Sequence, residues 1–333
     1  MDQFLAQFPV LIIYLLAVVS IVGLVVLSKQ LVEGSIGLAK QLAVNPFIVS
    51  TTIIGIGTSL DELVVNINGL HLPDYSEIVM GNIVGSIIAN FTLGLGLPAL
   101  IATIAVPSTT VKKELFIFAQ LLIMLNVFAA NGQLTFIEGC IFLVATLLIL
   151  IVMYQHAHQN PKRTEQIKQH LQRHQSKSVV KPLMLALASL VGLLASAKLL
   201  IHSSLIIAES LHISSYIASM LIVGLGTSLP EILASLQGIL KKSPEIVLGN
   251  VLGSNIFIFC VGLGVPMVFK NIAINPQIAT DIRLLNFLTI GIIIFLFIIP
   301  ESRRSQKIAS LVGGCLLVLS FLVFVIQKTK LFG

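Results

Sequence analysis

The chain carries the same unusual string twice. Residues 55–62, GIGTSLDE, recur at 224–231 as GLGTSLPE, and residues 81–98, GNIVGSIIANFTLGLGLP, recur at 249–266 as GNVLGSNIFIFCVGLGVP. The register extends upstream, pairing Gly23 with Gly192, Lys29 with Lys198 and Ser50 with Ser219. Apolar segments resemble one another by chance. Glycine, threonine, serine, glutamate and asparagine held in register do not, so the chain is an internal duplication. Any fold it adopts must be built from two similar halves.

Composition says which solvent those halves face. Of 333 residues, 56% are hydrophobic and only 10% charged, where a soluble domain carries about a quarter; the mean hydropathy is +1.02. So few charges cannot cover a water-facing surface, and the charge-rich character of a disordered chain is missing as well. The reading is an all-α polytopic membrane protein. About 20 apolar residues are needed to cross roughly 30 Å of hydrocarbon. That ruler places ten transmembrane helices near 9–29, 45–70, 77–100, 114–130, 134–155, 182–203, 215–240, 245–269, 283–299 and 308–327. Residues 1–155 form the first five-helix repeat, 156–181 a basic linker and 182–333 the second repeat. Five spans per half is odd, so the halves enter the membrane in opposite directions. Inverted repeats of this kind build secondary transporters, with the substrate site near the midplane where they meet.

The net charge of +6 is not a nucleic-acid signature, because the 20 Lys and Arg cluster between apolar runs. Basic clusters mark cytoplasmic loops. With the linker 156–181 inside, both termini lie outside. The cytoplasmic connections then hold Lys29, Lys40, Lys112, Lys113, Lys241, Lys242, Arg303, Arg304 and Lys307, while Lys198 falls inside a span. Lys270, Arg283, Lys328 and Lys330 remain outside, and the outer connection His71–Glu77 has two acids and no base. The expected location is the inner (plasma) membrane of a prokaryotic cell. No basic stretch precedes the first apolar run, which reads as a true span rather than a cleaved signal. Cys140, Cys260 and Cys315 sit in apolar stretches without metal-ligand spacing and read as packing residues. With no nucleophile–His pair and no metal-spaced His on any span, the sequence supports neither an enzyme nor a bound cofactor.

Chemistry concentrates in the repeated motifs. Asp61, Glu62 and Glu231 lie mid-span, where each charge costs at least about 2.5 kcal/mol, and neither motif contains a Lys or Arg to pair with them. Gly55, Gly57, Gly224 and Gly226 loosen the helix, and Pro230 lacks an N–H and interrupts the backbone ladder. Broken helix at membrane depth is tolerated where it lines a cavity, and its freed carbonyls can bind ions. Thr58 and Glu62 are four apart and share a face, as do Thr227 and Glu231, with Ser59 and Ser228 beside them. Ser86 and Asn90 share a face of the third span, and Ser254 and Asn255 stand in the eighth. Asn82 and Asn250 read either as further ligands or as hydrogen bonds between helices. Hydroxyl, carbonyl and carboxylate oxygens together are what Ca²⁺, Na⁺ and Mg²⁺ prefer.

The two GxGTSLxE strings, each followed by GNxxGS, resemble the α-repeats of the sodium/calcium exchanger branch of the calcium:cation antiporter superfamily. The resemblance implies that Glu62 and Glu231 are the central calcium-binding carboxylates, helped by Thr58 and Thr227. It implies that Ser59, Ser86, Asn90, Ser228 and Ser254, with the carbonyls of Gly55 and Gly224, line flanking sodium sites, and that spans 1 and 6 slide to switch access. Two positions depart from it: Asp61 replaces the proline of SLPE, and Ile258 stands where the family has Asp or Asn. Asp61 is therefore expected to join the metal ligands, with a proton competing for the Asp61–Glu62 pair and making exchange sensitive to pH. The expected activity is exchange of Na⁺ for Ca²⁺ by a monomer in the lipid bilayer, with inorganic cations as its partners. An H⁺-coupled or a Mg²⁺- or Mn²⁺-transporting exchanger of the same fold is the alternative. A cation channel could use the same acids, but inverted repeats with broken helices favour alternating access.

Overall fold

A computed structural model describes residues 9–42, 44–72, 74–104, 109–157, 178–210, 224–298 and 303–330. Most of the basic linker, the first part of the seventh span with Ser219, and the chain ends lie outside the described residues. The first half contains α1 (Val10–Leu42), α2 (Pro46–Val49), α3 (Leu60–Gly69), α4 (Tyr75–Ala89), α5 (Leu95–Ile101), α6 (Thr109–Ala129) and α7 (Phe136–Ala157). The second contains α8 (Val180–Ser210), α9 (Leu229–Leu240), α10 (Pro244–Phe257), α11 (Leu263–Phe269), α12 (Pro276–Ile298) and α13 (Arg303–Lys330). Short π-helical segments, Ser50–Gly55, Asn90–Gly94 and Ile258–Gly262, continue α2, α4 and α10. The last two occupy corresponding places in the repeats.

Among the described residues, seven helices are long and apolar enough to cross a membrane, and three shorter apolar stretches, Leu115–Ala129, Phe136–Val152 and Leu229–Leu240, take the places of the fourth, fifth and seventh spans. The protein is thus the helical, ten-span membrane protein expected, with several boundaries moved: α12 begins at Pro276 and carries Arg283, and α8 runs on to Ser210. α1 continues to Leu42, so Lys29 and Lys40 ride on the helix rather than in a connection. Its 33 residues span about 50 Å at 1.5 Å per residue, more than the hydrocarbon layer needs, so it tilts or protrudes.

α1 and α8 pack antiparallel. An added Cβ on Gly23 would meet Ser196, one on Gly192 would meet Leu27, and one on Gly34 would come within 2.8 Å of the Ala186 nitrogen. Small residues let these backbones approach, as they do between membrane helices. The pair packs through an apolar cluster of Leu24, Leu31, Leu190 and Leu193 that also takes in Ile54, Ala234 and Ile246 from the neighbouring segments. The main core lies among the other helices, where Phe91, Phe118, Phe259 and Phe142 stack edge to face with centroids 5.2, 5.6 and 5.8 Å apart.

Contacts between loops fix the crossing parity. A two-residue ribbon pairs β1 (Gln133–Leu134) antiparallel to β2 (Ile272–Ala273), with Gln133 opposite Ala273 and Leu134 opposite Ile272. Ala273 also donates its N–H to the Ser76 hydroxyl, and Asn275 donates to Glu77 Oε1. The connections after the second, fourth and eighth spans therefore share one side of the layer. Even numbers of single crossings separate them, as the ten-span count requires. At the other end, Lys241 pairs with Glu33, and the Ser310 hydroxyl accepts from the Ile104 N–H.

Candidate cation site between the repeats

Both repeated motifs break the helix at the same residue. Ser59 sits at φ −80°, ψ 5° between the turn Ile56–Thr58 and α3, and Ser228 at φ −87°, ψ −3° before α9. The acids fall in the first turn of the helices that follow: Asp61 and Glu62 in α3, Glu231 in α9. Carboxylates are favoured there by the exposed N–H groups of the helix start. Pro230 lies in the first turn of α9, where a missing N–H costs nothing. The first copy breaks identically with Asp61 in that position, so proline is not what interrupts the ladder, contrary to the expectation from sequence.

The glycines let the two repeats touch backbone to backbone. A Cβ on Gly253 would lie 2.4 Å from the Thr51 carbonyl oxygen, one on Gly249 2.5 Å from that of Phe47, and one on Gly55 2.8 Å from the Ser254 nitrogen. α10 is thereby pressed against the π-helical segment Ser50–Gly55. Ser50 donates to the Ile246 carbonyl at 2.7 Å, and Ser254 donates to that of Gly55 at 3.2 Å.

Glu62 and Glu231 are fully buried, as are Thr58, Ser59, Ser228, Asn90 and Ser254. Ser59 donates to Glu231 Oε1 at 3.1 Å, joining the break in one repeat to the acid of the other. Two asparagines hold the main chain under the acids. Asn250 donates to the Glu231 carbonyl at 2.8 Å and to the Ser235 hydroxyl at 2.9 Å. Asn82 donates to the Glu62 carbonyl at 3.2 Å and to Asn66 Oδ1 at 2.8 Å. The hydrogen-bonding alternative for Asn82 and Asn250 is the one their amides adopt. Asn66, which in turn donates to the Gly262 carbonyl at 2.9 Å, escaped the sequence reading, as did Ser235. Their signal was available: each stands four residues after a repeated glutamate.

Many buried oxygens here have no hydrogen-bond partner among the described residues. They include both oxygens of Glu62, Oε2 of Glu231, the hydroxyls of Ser86, Ser228 and Thr227, and Oδ1 of Asn90. Leaving such groups unmatched costs about 1–3 kcal/mol each, so the arrangement suits a cation that would take them as ligands. Asn90 donates to Asn255 Oδ1 at 3.1 Å across the third and eighth spans; in either amide orientation the pair keeps one oxygen free. Thr58 spends its proton on the Ile54 carbonyl at 2.8 Å, leaving its oxygen able to accept. Gly224 opens the single turn Gly224–Gly226, and the residues before it lie outside the described ones.

The two departures from the family pattern lie within the same region. Asp61 is buried, with 4% of its side chain exposed, and its Oδ1 lies 3.2 Å from Nζ of Lys198, on α8. Neither motif holds a basic residue, but the sixth span supplies one. Among the described residues, no group of three His, Cys, Asp or Glu side chains is placed to hold one ion, and the partner that Asp61 has is Lys198. Ile258 is fully buried and opens the second repeat's π-helical segment, bringing hydrocarbon one turn beyond Ser254.

Known proteins share this sequence pattern and fold. A family model described as sodium/calcium exchanger protein matches residues 12–155 and again 181–330. The chain is 31% identical over 307 residues to CaxA of Alkalimonas amylolytica, covering 91% of this chain and 95% of the relative. It is 26% identical over 326 residues to the sodium/calcium exchanger MaX1 of Methanosarcina acetivorans, covering 84% and 91%. The fold superposes on a structure of the sodium–calcium exchanger NCX_Mj soaked with Na⁺ and Sr²⁺ with a TM-score of 0.82, at 25% identity over 96% of this chain and 99% of that one. The duplicated, ten-span chain built around two buried glutamates belongs to the sodium/calcium exchanger family of membrane transporters.

Proposed function

We propose that the protein is a secondary antiporter exchanging Na⁺ for Ca²⁺ by alternating access at one site between the repeats. The observation that carries this reading is the set of buried, unpartnered oxygens, both of Glu62 and Oε2 of Glu231, one acid from each repeat, with Ser59 of the first repeat hydrogen-bonded to the acid of the second. A divalent ion or several sodium ions would neutralise these acids, with Thr58 and Thr227 completing the divalent shell. Ser59, Ser228, Ser86, Asn90, Ser254 and the carbonyls of Gly55 and Gly224 would serve the monovalent ions. Both loads together would carry excess positive charge into a low-dielectric layer. The empty site would leave two desolvated carboxylates, which resists passage through an occluded state. Such a carrier returns only when loaded, and that makes it an exchanger. The close antiparallel pairing of α1 and α8 through Gly23, Gly34 and Gly192 supports a two-helix layer that slides over the rest. The protein works as a monomer in the inner membrane, with residues 156–181 in the cytoplasm and both termini outside.

Counterflow in liposomes tests this. Radiolabelled Ca²⁺ should enter vesicles of the purified protein only when Na⁺ is present inside. Entry without any trans ion would indicate a channel, and entry driven by internal protons or Mg²⁺ in place of Na⁺ would shift the coupling ion.

A further inference from the structure

Three acids lie at the helix breaks, yet they are not electrically equivalent. Among the described residues Glu62 and Glu231 form no salt bridge, and both oxygens of Glu62 and Oε2 of Glu231 are buried without a hydrogen-bond partner. Asp61 is held by Lys198, which reaches it from α8 with 46% of its side chain exposed. The arrangement is confined to one repeat. Lys29, the counterpart of Lys198, is exposed on α1, and the counterpart of Asp61 is Pro230. No third carboxylate enters the cluster from the eighth span, where Ile258 follows Ser254 by one turn.

We propose that Lys198 is a built-in counter-cation for Asp61, so that transported ions neutralise only Glu62 and Glu231 and exchange is electroneutral, two monovalent cations for one divalent. This rests on the antiport reading above. Carrying net charge through a desolvated state is costly, so the occupant charge follows the charge left uncompensated in the site. One divalent ion or two monovalent ions match the two free carboxylates. A third monovalent ion would find no acid to balance it. Lys198 is thus a stoichiometry-determining residue that touches no transported ion.

The test uses purified full-length protein in liposomes, with Na⁺ inside, labelled Ca²⁺ outside, and the membrane potential clamped with K⁺ and valinomycin at zero, inside-negative and inside-positive. The expected result is the same initial Ca²⁺ uptake at all three settings and a measured flux ratio of about two Na⁺ per Ca²⁺. In Lys198→Met, Asp61 is released as a third acid; uptake should become faster inside-positive and the ratio should rise towards three. The charge-compensated variant Asp61→Asn/Lys198→Met should return to potential-independent uptake. Potential-dependent uptake by the unaltered protein would overturn electroneutrality, and a Lys198→Met protein that stays potential-independent would overturn the role of Lys198. Either failure is distinct from failure of the antiport reading, which would show as Na⁺-independent Ca²⁺ entry, or as exchange surviving in both Glu62→Gln and Glu231→Gln.

Discussion

Ser59 donates its hydroxyl proton to Oε1 of Glu231 at 3.1 Å, across 172 residues of sequence and across the boundary between the repeats. The mirrored hydroxyl, Ser228, has no partner among the described residues. The two halves of the site are therefore unequal despite their common origin. A hydrogen bond to a charged group contributes about 1.5–3 kcal/mol. Ser59→Ala is expected to raise the Ca²⁺ concentration for half-maximal uptake by about tenfold, and Ser228→Ala by less. Equal shifts in parallel uptake assays would contradict the asymmetry.

Glu62→Gln and Glu231→Gln keep side-chain shape and remove a charge. Each is expected to abolish Na⁺-driven Ca²⁺ uptake while the protein still inserts, since neutralising an intramembrane acid eases insertion. Membrane yield and uptake measured on the same preparations check this. Near-normal uptake by both variants would remove the glutamates from the account.

Asn250 is fully buried and satisfies two acceptors, the Glu231 carbonyl among them. Asn250→Ala removes both bonds and is expected to cost about 1–3 kcal/mol, more than Asn82→Ala, because Asn82 is only half-buried and its bond to Glu62 is longer. The fraction of each variant that stays monodisperse in detergent after heating ranks them.

Gly253 faces the Thr51 carbonyl so closely that an added Cβ would lie 2.4 Å away. The clash is with backbone, so Gly253→Ala must push α10 away from the Ser50–Gly55 segment and separate Ser254 from Gly55. It is expected to lose exchange and thermal stability together. Gly291→Ala, which meets nothing within 4 Å, is the control and is expected to retain both.

Orientation is tested with single cysteines. One placed in the loop Arg163–Lys177 should resist a membrane-impermeant thiol reagent in intact cells, and one near Asp74 should react. Labelling of the first would overturn the topology.

How much of this was legible in the sequence follows from what each feature depends on. The duplication and the mid-span acids are local strings, and ten crossings follow from apolar run lengths. The candidate ligands at the two breaks and in the third and eighth spans are equally local, because residues four apart share a face. Asn66 and Ser235 obeyed the same spacing and were overlooked because they stand outside the repeated strings. The pairing of Asp61 with Lys198 could not be read at all: it depends on how α8 lies across the start of α3, and sequence register pointed equally to Lys29. Pro230 reads from sequence as interrupting the second motif, yet Ser59 breaks the first without a proline. The end of α1 was placed too early because Lys29 and Lys40 look like loop residues, whereas a helix can carry them beyond the apolar layer.

Equilibrium binding tests the central claim most directly, that both ions compete for one site between Glu62 and Glu231. Labelled Ca²⁺ titrated onto the purified protein is expected to bind at one ion per chain, to be displaced completely by Na⁺, and to be lost in Glu62→Gln and in Glu231→Gln. Ca²⁺ that stays bound at saturating Na⁺, or that binds equally well to both variants, would contradict it.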